Sequence, residues 1–303
     1  MKKNNKSSVI GSIITIIILI IVAAFGANND NLYTSQAQNP EKVENLENVT
    51  IYTGNGVISE IPDDGNLRVY CLDVGQGDSI LVVNNGITML IDASTNEMGS
   101  TVVDYLNNLG IKKIDYLVGT HPHEDHIGGM DNVIKGFDIG KFYMPKKTAN
   151  TKTFEEVLDA ALDKNLKVAA PAVGDKFKVG DANCEVMSIN NEAENANDCS
   201  IVIQMEFEGV KYLFTGDMES GVENSRKWNE IDILKVGHHG SKTSSSKSFL
   251  DQTKPKIALI SCGKDNSYGH PHDAAVKRLT NIGAKIYRTD EDETIMVLQE
   301  KSN

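Results

Sequence analysis

The sequence predicts a mixed fold of α-helices and β-strands, and the pattern along the chain supports this prediction in two ways. Short apolar runs alternate with amphipathic segments over residues 67–299, without any internal repeat. With 303 residues, of which 40% are hydrophobic, the chain is long enough to bury one large core. The pattern by itself leaves the choice between an α/β and an α+β arrangement open.

The apolar runs and the turn residues predict the individual elements in order. Strands are predicted near residues 67–74, 79–85, 87–92, 114–120, 140–144, 183–189, 200–208, 210–215, 231–236, 256–261, 285–288 and 294–299. Helices are predicted over residues 100–109, after Gly129, and over 153–164, 219–228 and 272–282. Gly110 ends the first helix, and Thr153 with Glu156 forms a capping-box pattern at the start of the third.

Two segments of different composition precede these elements. Residues 1–27 carry three lysines followed by an uncharged apolar run of about 19 residues, which is long enough to cross a bilayer with its basic end inside. We expect a membrane anchor that holds the folded part outside the cell, with cleavage near residues 24–26 or 35–37 and secretion as the alternative. Residues 28–65 form a polar linker, in which 49–52 would add an edge strand. Residues 66–303 are the folded domain.

One short run concentrates metal-binding side chains. His121, His123, Asp125 and His126 directly follow the predicted strand 114–120. Strand geometry directs the first two imidazoles the same way, and the following turn brings the other two side chains to a second point nearby. Imidazoles and carboxylates without cysteine suit two divalent cations such as zinc, manganese or iron. A solvated loop is the alternative, which the strand, the turn and the following glycine pair disfavour.

This run resembles the His-x-His-x-Asp-His signature of the metallo-β-lactamase superfamily. The other motifs of the resemblance follow in collinear order, at residues 72–79, 90–93, 213–217, 233–241 and 268–272. The first two and the last are similar to the ComEC-like competence hydrolases in particular. The resemblance covers about residues 67–298 and implies an α+β fold of the αββα type, with two packed mixed sheets and helices outside.

The resemblance also implies a set of metal ligands. The first metal would be held by His121, His123, Asp217 and Asp198, and the second by Asp125, His126, Asp217 and His238. Asp217 would bridge the two metals. Many family members use a third histidine at the first metal, but no histidine lies between His126 and His238. Asp198 or Asn197 would replace it with oxygen, which favours manganese or magnesium over zinc.

Further roles are predicted around these ligands. Asp125, Asp217 and His270 are the predicted catalytic residues, and His270 would give a proton to the leaving group unless it only caps a helix. The residues predicted to bind substrate are His239, Ser241, Lys242 and His272, with a plain turn at 240–241 and a solvated lysine as the alternative. Asp73 and Asp92 at strand ends would orient ligand imidazoles, or else cap turns.

Two adjacent divalent cations, zinc or manganese, would support hydrolysis, because they lower the pKa of a bound water and neutralise charge on the attacked ester. The ComEC resemblance implies that the substrate is a phosphodiester, and DNA is the first choice. The net charge of −12 opposes broad nucleic-acid affinity, although residues 231–290 hold ten Lys and Arg against five Asp. The alternatives are a cell-surface phosphorylcholine or teichoic-acid phosphoesterase, a β-lactam or thioester hydrolase, and a non-catalytic binding module. The sequence indicates no protein partner.

Four cysteines complete the inventory, namely Cys71, Cys184, Cys199 and Cys262. Their spacing is not that of a metal site, so we expect buried free thiols. A Cys184–Cys199 disulfide is the alternative for an exported chain.

Overall fold

Two mixed β-sheets pack face to face, and helices cover both outer faces. The computed structural model describes residues 40–43, 46 and 48–302. The predicted membrane anchor and residues 28–39, 44, 45 and 47 of the predicted linker lie outside the described residues. Within the part of the chain that is described, no helix is both long and apolar enough to cross a membrane.

The first sheet has nine described strands in the order β1-β2-β16-β3-β4-β5-β6-β7-β8. Their bounds are β1 Glu41–Lys42, β2 Val49–Thr53, β3 Leu67–Cys71, β4 Ile80–Asn84, β5 Ile87–Ile91, β6 Lys113–Val118, β7 Asp138–Tyr143, β8 Val168–Ala169 and β16 Ile295–Gln299. Strands β5 to β8 run parallel, and the other pairs are antiparallel.

The second sheet has seven described strands in the order β15-β14-β13-β12-β11-β10-β9. Their bounds are β9 Lys176–Val179, β10 Ala182–Ser188, β11 Val202–Phe207, β12 Val210–Phe214, β13 Ile233–Lys235, β14 Ile257–Ile260 and β15 Lys285–Arg288. Strands β12 to β15 are parallel. The described α-helices are α1 Gly99–Asn108, α2 Glu124–Ile127, α3 Met130–Gly136, α4 Lys152–Asp163, α5 Ser220–Asn224, α6 Lys247–Thr253, α7 Asp273–Asn281 and α8 Thr289–Asp292.

Alternation along the strands explains the layers. In β3, Val69 and Cys71 face the second sheet, whereas Tyr70 faces the helices. Successive side chains of a strand point to opposite faces, and both faces of this sheet are covered, so all five residues of β3 are buried. Leu213 of β12 and Phe249 of α6 pack in the outer layer of the second sheet. The structure confirms the predicted αββα sandwich.

The first sheet begins within the stretch predicted as a linker. Strand β2 pairs with β16, and β1 pairs with β2 on its other side. The predicted added strand at 49–52 therefore exists, but β1 rather than β2 forms the edge. Val49 and Ile51 are 1% exposed and belong to the core between the sheets, which is why this stretch is ordered with the domain.

Three local predictions differ from the structure. Helix α5 ends at Asn224 instead of 228, because the chain turns to bury Trp228, whose indole donates to the Glu223 carbonyl at 2.8 Å. The cap of α4 is Thr151, whose hydroxyl accepts from the Phe154 amide, and not Thr153. Helix α6 was not predicted, because its cap Ser246 lies at the end of a serine-rich run that is typical of a loop.

Candidate metal centre

The predicted metal run lies where β6 ends. His123 is the N-cap residue of α2, and two glycines follow this short helix. A Cβ at Gly128 would lie 2.2 Å from the Asn96 amide nitrogen, and one at Gly129 would lie 2.3 Å from the Ala93 carbonyl oxygen. Only glycine allows this close approach. The glycines thus seat the run against the carboxyl end of β5, beside the carboxyl ends of β12 and β13.

Asp217, which follows β12, is the centre of the cluster. Its carboxylate is 1% exposed. Asp217 Oδ1 lies 3.2 Å from His126 Nε2, and Oδ2 lies 3.9 Å from His121 Nε2. Oδ2 also lies 3.7 Å from His238 Nε2 and 3.6 Å from His239 Nε2. Four imidazoles, two from each half of the chain, therefore direct the same ring nitrogen to one buried carboxylate.

The opposite ring nitrogen of the two histidines from the first half is held by oxygen. His126 Nδ1 lies 2.7 Å from Asp92 Oδ2. The same Asp92 carboxylate accepts from the Thr120 amide at 2.8 Å and the Thr120 hydroxyl at 2.7 Å. Because the Thr120 hydrogen goes to Asp92, its oxygen accepts from His121 Nδ1 at 3.1 Å. Both imidazoles are thus protonated at Nδ1 when neutral, which leaves an Nε2 lone pair facing Asp217.

The two histidines from the second half are held in the same manner. His238 Nδ1 donates to Glu219 Oε1 at 3.1 Å. His239 Nδ1 donates to the Ser261 carbonyl at 3.0 Å and lies 3.2 Å from Asp78 Oδ1. A carbonyl can only accept, so the neutral His239 ring also presents an Nε2 lone pair to the cluster.

Asp78 is tied to a buried lysine. Lys235 Nζ lies 2.6 Å from Asp78 Oδ2 and donates to the Val236 carbonyl at 2.9 Å. The Lys235 and Asp78 side chains are 1% and 3% exposed. Although burial opposes ionisation, the ammonium of Lys235 and the imidazole of His239 lower the pKa of Asp78 to about 2. The ion pair of Asp78 and Lys235 is therefore buried next to Nδ1 of His239.

The turn that carries His238 and His239 has an unusual backbone. Their φ angles are +51° and +50°, in the left-handed region that is uncommon for residues other than glycine. Asp92 has a φ of +61°. Such conformations cost about 1–3 kcal/mol each and persist where the surrounding structure fixes them. Here they allow two successive histidines to face one carboxylate.

The buried polar atoms of this cluster lack partners. His126 Nε2, His239 Nε2 and Asp217 Oδ1 have no hydrogen-bond partner in the described structure, although they lie close together. Burial opposes charge, but the neighbouring imidazoles hold the pKa of Asp217 well below its usual range, and Asp217 and Asp78 raise the pKa of His239 to about 10. Unpaired imidazole and carboxylate atoms that stabilise positive charge suit a divalent cation. The groups of ligand-type atoms close enough to share an ion include His121-His126-Asp217 and Asp125-His126-His239.

The positions of three predicted site residues, His238, His239 and Asp198, bear on the assignment of ligands. His239, predicted to bind substrate, lies in the cluster with Nε2 at 3.3 Å from Asp125 Oδ2. Among the described carboxylates, His238 lies near Asp217 through Nε2 and near Glu219 through Nδ1. Asp198 belongs to none of the ligand groups found among the described residues, and its Oδ1 accepts from the Glu219 amide at 3.2 Å. Asp198 is therefore part of the loop that positions Glu219, the partner of His238.

Some of the predicted site residues line the cavity beside Asp217, and others do not. This cavity has a volume of about 500 Å³, and the predicted residues that line it are His123, Asp125, Asp217, His238, His239 and His270. Ser241, Lys242 and His272 do not line it. The Ser241 hydroxyl contacts Thr243, and the Lys242 amide donates to His272 Nδ1 at the start of α7. Asp73 caps a turn by accepting from the Gly75 amide and contacts no ligand imidazole.

His270 and the cysteines complete the comparison with the prediction. Burial and the charge of His239 lower the pKa of His270 to about 4, so this cavity-lining imidazole is neutral at pH 7. Cys71, Cys184, Cys199 and Cys262 are all free and buried, as expected, and Cys184 and Cys199 form no disulfide.

The sequence reasoning missed Asp78, Lys235, Glu219, Gln76 and Tyr268. Asp78 follows two glycines after a strand, which was a signal for a site residue. Lys235 carried no such signal, because a lysine within an apolar strand is expected to point to solvent.

The comparisons with known proteins agree with this geometry. The family model described as the metallo-beta-lactamase superfamily matches residues 72–264. The chain belongs to the metallo-beta-lactamase superfamily. Membership and the clusters described above together indicate divalent metal ions as its cofactors.

Three curated relatives of this superfamily member are similar over about three quarters of the chain. ComE operon protein 3 of Bacillus subtilis is 32% identical over 75% of the chain, and competence protein ComA of Neisseria gonorrhoeae is 31% identical over 78%. Recombination protein 2 of Haemophilus influenzae is 30% identical over 73%. The matched regions are 32%, 33% and 27% of these relatives, so the chain spans about a third of their length.

A solved structure shows the same fold at low identity. CmlA, a diiron beta-hydroxylase from Streptomyces venezuelae, matches with a TM-score of 0.51 and 13% identity, over 79% of this chain and 55% of CmlA.

Proposed function

We propose that the chain is a metal-dependent phosphodiesterase with a dinuclear centre that acts on nucleic acid outside the cell membrane. One observation carries the hydrolase part of the proposal. Four imidazoles turn Nε2 toward the single buried carboxylate of Asp217, and each has its Nδ1 held by oxygen. A structural histidine cluster would use both ring nitrogens for hydrogen bonds, whereas here the buried Nε2 atoms of His126 and His239 have no hydrogen-bond partner and are available to another ligand.

The positions suggest two ligand sets that share Asp217. One set is His121, His123, His238 and Asp217, and the other is Asp125, His126, His239 and Asp217. Two divalent cations there would supply Lewis acidity and an activated water for ester hydrolysis. The chain itself holds the imidazoles in one orientation, through Asp92, Glu219 and Asp78. The cavity beside Asp217 then gives substrate access to this centre.

The substrate assignment is supported by the relatives and by local charge. One relative, competence protein ComA, is named for competence, which is the capacity to take up DNA. Residues 231–290, which include β13, the His238–His239 turn and the His270 loop, hold ten Lys and Arg against five Asp. This local excess supports binding of a phosphodiester backbone despite the overall charge of −12.

Removal of the shared carboxylate tests the proposal. The full chain is supplied with Mn²⁺ or Zn²⁺, and metal content is measured together with hydrolysis of a bis-aryl phosphodiester, single-stranded DNA, a phosphorylcholine ester and a cephalosporin. We expect two metals per wild-type chain and cleavage of DNA. Asp217→Ala should lose at least one metal and about a thousandfold or more in turnover, because both ligand sets lose an oxygen and the charge that holds the cations.

Asp73→Ala is the matched control, because the Asp73 carboxylate caps a turn by accepting from the Gly75 amide. It should keep both metals and most of the turnover. Full activity and unchanged metal content in Asp217→Ala would refute the dinuclear assignment. Cleavage of only the phosphorylcholine ester or the small phosphodiester would replace nucleic acid with a cell-surface polymer, and absence of both metal and turnover in the wild type would favour a binding module.

A further inference from the structure

An exposed aromatic ring stands at the mouth of the metal cavity. Tyr268 is 64% exposed, and among the described residues it is the one aromatic side chain among the large exposed hydrophobic residues. Its ring lies nearly parallel to that of His270, with 5.7 Å between centroids and 17° between planes. Both residues line the cavity that contains Asp217. An aromatic face is therefore offered to solvent directly beside the candidate metal ligands.

The loop that carries Tyr268 is fixed in place by one side chain. Asn266 Oδ1 accepts from the amides of Tyr268 at 3.2 Å and His270 at 3.0 Å. Asn266 Nδ2 donates to the carbonyls of Gly263 at 2.8 Å and His270 at 2.5 Å. All four hydrogen bonds stay within the loop, so the ring is presented by a preorganised platform and not by a loose tip.

A polar donor faces the same cavity from the other sheet. Gln76 Oε1 accepts from the Gly263 amide at 3.2 Å, which fixes the orientation of the side-chain amide. Gln76 Nε2 is buried without a partner and its residue lines the cavity. A buried N–H group without an acceptor is uncommon. A phosphate or base oxygen entering the cavity would supply that acceptor.

We infer that Tyr268 stacks on an unpaired base next to the scissile phosphate, so that the substrate is single-stranded nucleic acid. This inference rests on the proposed phosphodiesterase function and names its substrate class. Stacking on an aromatic ring is sequence-tolerant because every base has a π-face, and it would add to the backbone contacts that the local excess of Lys and Arg in residues 231–290 favours. Bases within a duplex are already stacked on each other, so they cannot stack on the Tyr268 ring.

The test separates stacking from hydrolysis. Binding and cleavage of an oligothymidylate are compared with those of an equally long oligomer whose sugars lack bases, using the Mn²⁺-loaded full chain. Binding is measured by fluorescence anisotropy and cleavage by gel analysis. We expect the wild type to bind the oligothymidylate about tenfold more tightly, which is the lower range for one stacked base. Tyr268→Ala should bind both oligomers alike and raise KM for the oligothymidylate about tenfold, with a smaller change in kcat.

Two control variants complete the design. Tyr268→Phe keeps the ring and should retain the preference for bases. Leu162→Ala removes another exposed hydrophobic side chain, on α4, and should behave as the wild type. The inference is overturned if Tyr268→Ala keeps the preference, or if the wild type has none while cleaving both oligomers. A preference for bases without any cleavage would support the stacking and refute the hydrolytic function instead.

Discussion

His126 and His239 face the same carboxylate, but the two halves of the molecule support them differently. Behind His126 stands Asp92, whose other partners are the neutral amide and hydroxyl of Thr120. Behind His239 stands Asp78, whose partner is the buried ammonium of Lys235. A carboxylate that orients a buried imidazole can thus be stabilised either by neutral donors or by a full counter-charge.

The pKa values follow this difference. Burial raises the pKa of Asp92 above its usual value, against the opposing effect of His126. The pKa of Asp78 is instead lowered to about 2, since Lys235 and His239 overcome an equally strong burial. The Asp78 side is thus the more highly charged of the two and the more costly to disrupt.

The largest expected effect comes from removing Lys235. Lys235→Met leaves the Asp78 charge buried without its partner, which should cost about 3–5 kcal/mol in the free energy of unfolding. Chemical denaturation followed by circular dichroism measures this loss. Lys256→Met is the matched control, because Lys256 pairs with Asp232 at 2.8 Å on the same sheet but is 45% exposed. It should cost less than about 1 kcal/mol. Equal losses in the two variants would contradict a special role for the buried pair.

A smaller effect is expected when each supporting carboxylate is neutralised. Asp92→Asn and Asp78→Asn should each weaken Mn²⁺ binding by about 10- to 100-fold. Asp92 contacts His126 and Asp78 contacts His239, so each imidazole loses the carboxylate that sets its orientation and basicity. Isothermal titration of the metal-free chain with Mn²⁺ measures this change. Asp78→Asn should also lose stability, since Lys235 is then unpaired, whereas Asp92→Asn should lose less.

Asp73→Asn serves as the control for these two variants. Asp73 also follows a strand, but it only caps a turn, so Mn²⁺ affinity should stay at the wild-type value. If all three variants bound Mn²⁺ as the wild type does, the orienting role of Asp92 and Asp78 would be wrong.

The smallest effect is expected at an ion pair that is far less buried. Arg68 contacts Asp64 through two hydrogen bonds of 2.8 and 2.5 Å, and the Asp64 side chain is 34% exposed. The hydrogen bond from Arg68 lowers the pKa of Asp64 from 3.8 to about 2. Because the folded-state pKa is the lower one, this stabilisation is present above about pH 4 and is lost as the pH falls toward 2. Asp64→Asn should therefore cost less than about 1 kcal/mol at pH 7.

Thermal unfolding at pH 7 and at pH 2.5 checks this prediction. The melting temperatures of the wild type and Asp64→Asn should differ slightly at pH 7, and this difference should become smaller at pH 2.5. A loss at pH 7 as large as that of Lys235→Met would show that burial does not determine what such pairs contribute.

Much of the fold was predictable because its strands are short apolar runs separated by turn residues. Strand β4 was expected at 79–85 and lies at Ile80–Asn84, and α7 was expected at 272–282 and lies at Asp273–Asn281. The pattern missed β8 and β9, which are short and partly exposed and therefore show no apolar run. Membership of β1 and β2 in the first sheet depends on pairing with β16, more than 200 residues away in sequence, and no local pattern encodes it.

The local sequence was enough to predict that His121, His123, Asp125, His126 and Asp217 follow strand ends, because each lies directly after or close to an apolar run. Whether His238 or His239 lies next to Asp125 depends on the folded backbone. The two residues are adjacent, and the left-handed backbone of their turn sets which imidazole faces which carboxylate. The pairing of Lys235 with Asp78 was likewise decided by packing, since it joins residues from two different sheets in a space that excludes water.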